Sequence, residues 1–232
     1  MIDKLRKEIK KAADPKKAEV SQRFFKTGRG EYAEGDVFLG ITVPESRKIA
    51  IKFKDISFTE IVKLLRSKIH EERLIALLVL VNNFNMGDEK MQEKIYKFYL
   101  KNIKYINNWD FVDLSADKIV GGYLIRKQKD ILFRLAKSKN IWKRRISIIA
   151  TYYFIKNNKF EETLKISEIL LFDNHDLIQK AVGWMLREVG NRDLKMEIGF
   201  LNKHYKKMPR TMLRYAIEKF PKKHRMLYLK RN

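Results

Sequence analysis

The chain has no cysteine, which excludes disulfides, cysteine-ligated zinc and cysteine-held iron–sulfur clusters. Histidine is nearly as scarce. His70, His175, His204 and His224 are scattered without ligand spacing, so neither a metal nor a cofactor is expected. Only four prolines and ten glycines interrupt 232 residues, which leaves long stretches free to run as helix. No apolar run is long enough to span a membrane, and the start Met1-Ile2-Asp3-Lys4-Leu5 lacks the apolar core of a signal peptide. A reducing cytoplasm is the simplest home. Acidic residues are also few: 28 Asp and Glu stand against 51 Lys and Arg, a net charge of +23. That balance predicts attraction to polyanions, with nucleic acid first and an acidic membrane surface as the rival. A 45% hydrophobic content rules out reading the chain as a disordered basic tail.

What is present is helical periodicity. Apolar residues recur at i, i+3, i+4 and i+7 nearly throughout, and no alternating run is convincing. An all-α chain is therefore expected, as one domain over 1–232 with a helical N-terminal cap at 1–26, broken near Asp14-Pro15, and a glycine-rich loop at 27–37. Thr42-Val43-Pro44-Glu45 reads as a helix start: Thr42 can cap, Glu45 stands three residues on, and Pro44 fits the first turn.

An internal repeat follows. Arg73-Leu74-Ile75-Ala76, Arg144-Arg145-Ile146-Ser147 and Lys180-Ala181-Val182-Gly183 each place a basic residue three positions before a small one. Arg73 to Arg144 is 71 positions and Arg144 to Lys180 is 36, so one unit is close to 36 residues, room for two helices and short loops. The period predicts another copy near 108–111, where the basic residue is missing, and a degenerate one at Arg214-Tyr215-Ala216-Ile217. Ala76, Ser147 and Gly183 are expected at close helix contacts. Stacked helix pairs form a curved solenoid whose concave face suits an extended partner such as a duplex.

Two tryptophan segments depart from the plain pattern. Asn107-Asn108-Trp109-Asp110-Phe111-Val112-Asp113 adds a carboxylate one helical turn after its tryptophan. Ala181-Val182-Gly183-Trp184-Met185-Leu186-Arg187-Glu188 sets Arg187 one turn after Trp184. Each has an ordinary reading: tryptophans on amphipathic helices are usually core, and Asp113 can be a cap or the partner of a lysine. Asp110 is expected to be structural, because two adjacent ionised carboxylates repel each other and DNA.

Taken in order, Phe38-Leu39-Gly40-Ile41-Thr42-Val43-Pro44-Glu45, Asn108-Trp109-Asp110-Phe111-Val112-Asp113, Ile141-Trp142-Lys143-Arg144-Arg145 and Gln179-Lys180-Ala181-Val182-Gly183-Trp184-Met185-Leu186-Arg187-Glu188 resemble the DNA alkylation repair family of HEAT-like-repeat DNA glycosylases. The landmarks spread over most of the chain. The resemblance implies a curved α-α superhelix of HEAT-like helix pairs. It also implies removal of N3- and N7-alkylated purines from double-stranded DNA by a monomeric, nucleoid-associated enzyme, and a monofunctional one is expected because no single lysine stands out as a nucleophile for strand cleavage. Asp113 is then the catalytic carboxylate, Trp109 and Trp184 line the lesion site, and Arg145 is the basic residue beside them, all four converging on one cleft. Arg187, Lys180, Arg144 and Lys143 are expected on one basic DNA-binding surface, although neighbouring helix positions diverge by about 100° and Lys143 or Arg144 can face away. Thr42 is assigned to the strand opposite the lesion on family analogy alone. Trp142 is assigned to packing, and no aromatic residue of the 27–37 loop is given a role.

The chemistry suits a single carboxylate. Breaking the N-glycosidic bond builds oxocarbenium-like charge on the sugar, which a carboxylate stabilises. A cationic alkylpurine leaves as a neutral base without a general acid. The sequence announces no aromatic pocket for a flipped base, which favours excision with partial unstacking. A non-enzymatic relative that binds bent or branched DNA is the alternative, and a HEAT-type scaffold for an acidic partner is a third. RNA shares the phosphate attraction.

Overall fold

The computed structural model describes residues 1–230. Among them every regular element is helical, and the only strand-like pairing is an isolated parallel bridge between Val37 and Ile69. The all-α class expected from the periodicity is the class observed. The chain divides into two compact units, Met1–Ile119 and Val120–Asn232.

The first unit holds α1 (Ile2–Lys11), α2 (Pro15–Phe24), α3 (Val43–Lys52), α4 (Phe58–Leu65), α5 (His70–Met86), α6 (Glu89–Lys101) and α7 (Trp109–Ala116). The break between α1 and α2 falls where Asp14 caps the second helix, accepting from the Lys16 and Lys17 amides. The Thr42–Glu45 capping box forms: the Glu45 amide donates to Thr42 Oγ1, and Glu45 Oε2 accepts from the Thr42 amide at 3.0 Å and hydroxyl at 2.6 Å. α5 is apolar on every side over Leu74–Val81 and accordingly buried there, packed against α3, α4, α6 and α7. Helix α2 is its opposite and buries no side chain fully. Polar bonds hold it instead: Gln22 Nε2 donates to the Asp36 carbonyl at 2.8 Å, and Gln22 Oε1 accepts from the Phe38 amide at 3.3 Å.

One buried carboxylate organises the turn before α3. Glu71 accepts the amides of Leu39, Gly40 and Ile41 at 3.0, 2.8 and 3.2 Å. Gly40 sits at φ +80°, and a Cβ there would meet the Asp14 carbonyl oxygen at 2.2 Å, so both backbone angle and space demand glycine.

The second unit holds α8 (Gly122–Leu124), α9 (Asp130–Ala136), α10 (Ile141–Lys156), α11 (Glu161–Ile169), α12 (Asp176–Arg192), α13 (Leu194–His204), α14 (Arg210–Ala216) and α15 (Lys222–Leu229). Helix α10 packs on α9, α11 and α12, and α12 on α13 and α14. The starts Ile141, Asp176 and Arg210 are 35 and 34 positions apart, close to the period read from the sequence. Gly183 is the contact that period needs: a Cβ would lie 2.4 Å from the Met212 carbonyl oxygen of α14. Ala76 and Ser147 are wholly buried.

Candidate functional site

Helix α7 begins at Asn108, a fully buried cap whose Oδ1 accepts the Trp109 amide at 2.7 Å. Trp109 is half-buried and seated by aromatic neighbours from α2 and the following loop. Its ring stacks on Phe25 with centroids 5.1 Å apart and planes 9° apart, and Phe24 approaches edge-on at 6.0 Å. Its indole N–H donates to the Tyr32 hydroxyl at 3.2 Å. The stacking continues inward from Phe25 to Phe38 at 4.8 Å, Phe38 to His70 at 4.2 Å, and His70 to Phe111 at 4.3 Å. Phe24 remains 64% exposed, so this aromatic wall has an open edge beside Trp109.

A charged cluster lies behind the wall. His70 Nε2 is 2.7 Å from Asp110 Oδ2, and its Nδ1 is 3.2 Å from Asp36 Oδ2. Arg73 forms an ion pair with Asp36 at 2.5 Å and donates through its other terminal nitrogen to Asn107 Oδ1 at 2.7 Å. Burial pulls the His70 pKa down, but the Asp110 charge and the two carboxylate hydrogen bonds outweigh it and hold the imidazole above its ordinary value. Burial likewise pushes Asp36 up, and the His70 and Arg73 contacts overcome it, so its carboxyl lies below the usual range. Asp110 thus has a buried partner in His70.

Asp113 follows Trp109 by one turn on α7, is half-buried, and shares that helix face. Its charge reaches Tyr99, whose phenol is pushed upward first by complete burial and then by Asp117 and Asp113.

The other expected residues lie in the second unit. Asn140 caps α10 by accepting the Trp142 and Lys143 amides, and Trp142 is buried. Arg145 is only 5% exposed and donates to the Leu177 carbonyl at 2.5 Å, at the start of α12. Arg144 is held by Asp173 at 2.6 Å and by the carbonyls of Ser138 and Lys139. Lys143 is half-exposed. On α12, Lys180 pairs with Asp176 at 3.0 Å. Trp184, half-buried beside Tyr152, donates its indole N–H to Glu188 Oε1 at 3.0 Å, and Arg187 reaches the same oxygen at 3.2 Å while pairing with Glu218. Glu188 therefore ties Trp184 to Arg187. Thr42 spends its hydroxyl on Glu45.

Phe24, Phe25 and His70 have no site role in the sequence, and Tyr32 enters there only as part of a glycine-rich loop that could close over the DNA. The adjacent Phe24-Phe25 pair was the available signal, but its neighbours Trp109 and His70 are remote in sequence. Among the described residues no three His, Asp or Glu side chains are grouped to hold a metal ion, and no helix is long and apolar enough to cross a membrane.

Comparison with known proteins places this geometry in context. No curated protein matches the sequence. A solved structure described as a predicted DNA alkylation repair enzyme from Enterococcus faecalis is similar, with a TM-score of 0.68 and 16% identity over 90% of this chain and 97% of that one. At that identity the likeness concerns the fold. The sequence itself matches the family described as DNA alkylation repair enzyme over residues 5–220, nearly its whole length. The chain belongs to the DNA alkylation repair enzyme family.

Proposed function

We propose that this protein is a monofunctional DNA glycosylase that hydrolyses the N-glycosidic bond of cationic N3- and N7-alkylated purines in duplex DNA. The observation that carries the reading is the α7 pair. A half-buried tryptophan in an aromatic wall has a carboxylate one turn later on the same helix, in a chain of net charge +23 from a DNA repair family.

In this reading Asp113 stabilises the positive charge that grows on the deoxyribose and orients the attacking water. Trp109 and Trp184 meet the cationic base or the sugar through their ring faces, a contact worth about 0.5–2 kcal/mol. Arg145 is the residue for a backbone phosphate beside the lesion, a contact that requires the start of α12 to yield because the guanidinium is buried and donates to the Leu177 carbonyl, and Arg187, Lys180, Arg144, Lys143 and Thr42 bind DNA around it. Arg144 and Arg187 are already paired with carboxylates, so a phosphate must displace or share those partners. The lesion's own charge makes its base a good leaving group. Alkylated duplex DNA is the partner, the protein acts as a monomer, and the nucleoid is its place of work.

The test is release of free base from methylated duplex DNA by the purified protein. Release of 7-methylguanine and 3-methyladenine, with slow release of a neutral lesion, is expected. Tight binding to duplex or branched DNA with no release of any base would replace this reading with that of a non-enzymatic DNA-structure binder.

A further inference from the structure

We propose that His70 is a positioning residue for the Trp109–Asp113 helix, one buried imidazole that holds the start of α7 and the aromatic wall around Trp109 in a single arrangement. The proposal rests on the glycosylase reading for its effect on activity, but not for its effect on structure.

The ring is held on all sides. Phe38 and Phe111 stack on its two faces at 4.2 and 4.3 Å, and Phe25 tilts against it at 5.0 Å. Each nitrogen faces a carboxylate oxygen, an arrangement that suits the imidazolium, the form in which both ring nitrogens donate. The His70 amide also donates to the Val37 carbonyl at 2.9 Å, so backbone and side chain grip the same segment.

The two carboxylates belong to the two halves of the Trp109 seat. Asp110 follows Trp109 directly and precedes Asp113 by three residues. Asp36 ends the loop that carries Tyr32, the acceptor of the Trp109 indole N–H. The charged groups facing the ring are Asp36 from the loop, Asp110 from α7 and Arg73 from its own helix. The neighbouring Glu71 and Glu72 are turned away, toward the Leu39–Ile41 amides and Arg6. Two cations therefore balance two anions. Loss of the imidazolium proton leaves an unbalanced buried carboxylate and removes one of the two bonds to α7 or the loop. The upward displacement of the His70 pKa accords with this balance.

The test compares the unmodified full chain with His70→Phe, which keeps the stack and removes both nitrogens, and His70→Gln, which restores a donor. Amide hydrogen exchange is followed at one pH, alongside single-turnover release of 7-methylguanine and DNA affinity. His70→Phe should speed exchange in 27–38 and 109–113 more than elsewhere in the first unit. It should slow base release about 10- to 100-fold, as displaced reacting groups do, with little change in DNA affinity. His70→Gln should recover part of both. In the unmodified protein the release rate should fall as pH rises through the raised His70 value, and His70→Phe should lack that limb. Asp110→Asn, a milder change that serves if His70→Phe does not fold, should move the limb to lower pH. Unchanged exchange in 27–38 and 109–113 would overturn the proposal whatever the activity. Altered exchange there, with no base release by the unmodified protein, would uphold the positioning and overturn the glycosylase reading.

Discussion

Glu197 shows at the scale of one residue how burial sets chemistry. It is 2% exposed, its Oε1 has no hydrogen-bond partner, and burial lifts its pKa to about 8 against a lesser downward pull from Arg187. The fold thus prefers the protonated acid, whereas the unfolded chain ionises near the ordinary glutamate value. Its contribution is fully present below that ordinary value and is lost as pH rises to about 8. Glu197→Gln should therefore gain stability over the unmodified protein as pH rises from about 5 to about 8, by a few kcal/mol at most, since a tenfold change in proton affinity is worth about 1.4 kcal/mol. Urea midpoints at the two pH values check this, and an equal difference at both would contradict it. The His70 cluster has the opposite origin with the same direction. Its raised histidine stabilises the fold below the ordinary value near 6.5, and that contribution fades as pH climbs through the raised one.

At the scale of elements, local signals decided what could be read in advance. The Thr42–Glu45 capping box, the break at Asp14-Pro15 and the close contact at Gly183 are encoded within a few residues or by a repeated spacing, and each is found where expected. The landmark order led to the right family. The aromatic wall was not legible, because its rings come from α2, the 27–38 segment, α5 and α7. His70 meets partners 34 and 40 positions away, and a lone histidine in an apolar helix gives no hint of them. Glycines and acidic residues alone assign the 27–37 loop no contact, yet Tyr32 and Asp36 tie it to Trp109 and His70. Elsewhere a single cap carries an element. Asn140 satisfies two amides at the start of α10, the helix that bears Arg145, so Asn140→Ala should lower stability by about 1 kcal/mol. Thermal or urea denaturation would show it, and a loss indistinguishable from zero would mean that water caps the helix equally well.

Across the whole molecule the excess of 23 positive charges should dominate encounter with DNA. Affinity should fall linearly on logarithmic axes as salt rises, by about 0.9 per phosphate neutralised. Arg187→Ala should flatten that slope by less than one such step, because Glu188 and Glu218 already balance much of its charge. A flat salt dependence would contradict the basic surface altogether. Charge brings the protein to DNA, but the central claim concerns one carboxylate. The direct measurement is single-turnover release of 7-methylguanine and 3-methyladenine from methylated duplex DNA by Asp113→Asn, with DNA affinity recorded in parallel. The account predicts undiminished binding, since a negative charge facing phosphates is gone, and a rate lowered by about 10²-fold, the loss of roughly 3 kcal/mol of electrostatic stabilisation. Near-normal release of both bases by Asp113→Asn would contradict it.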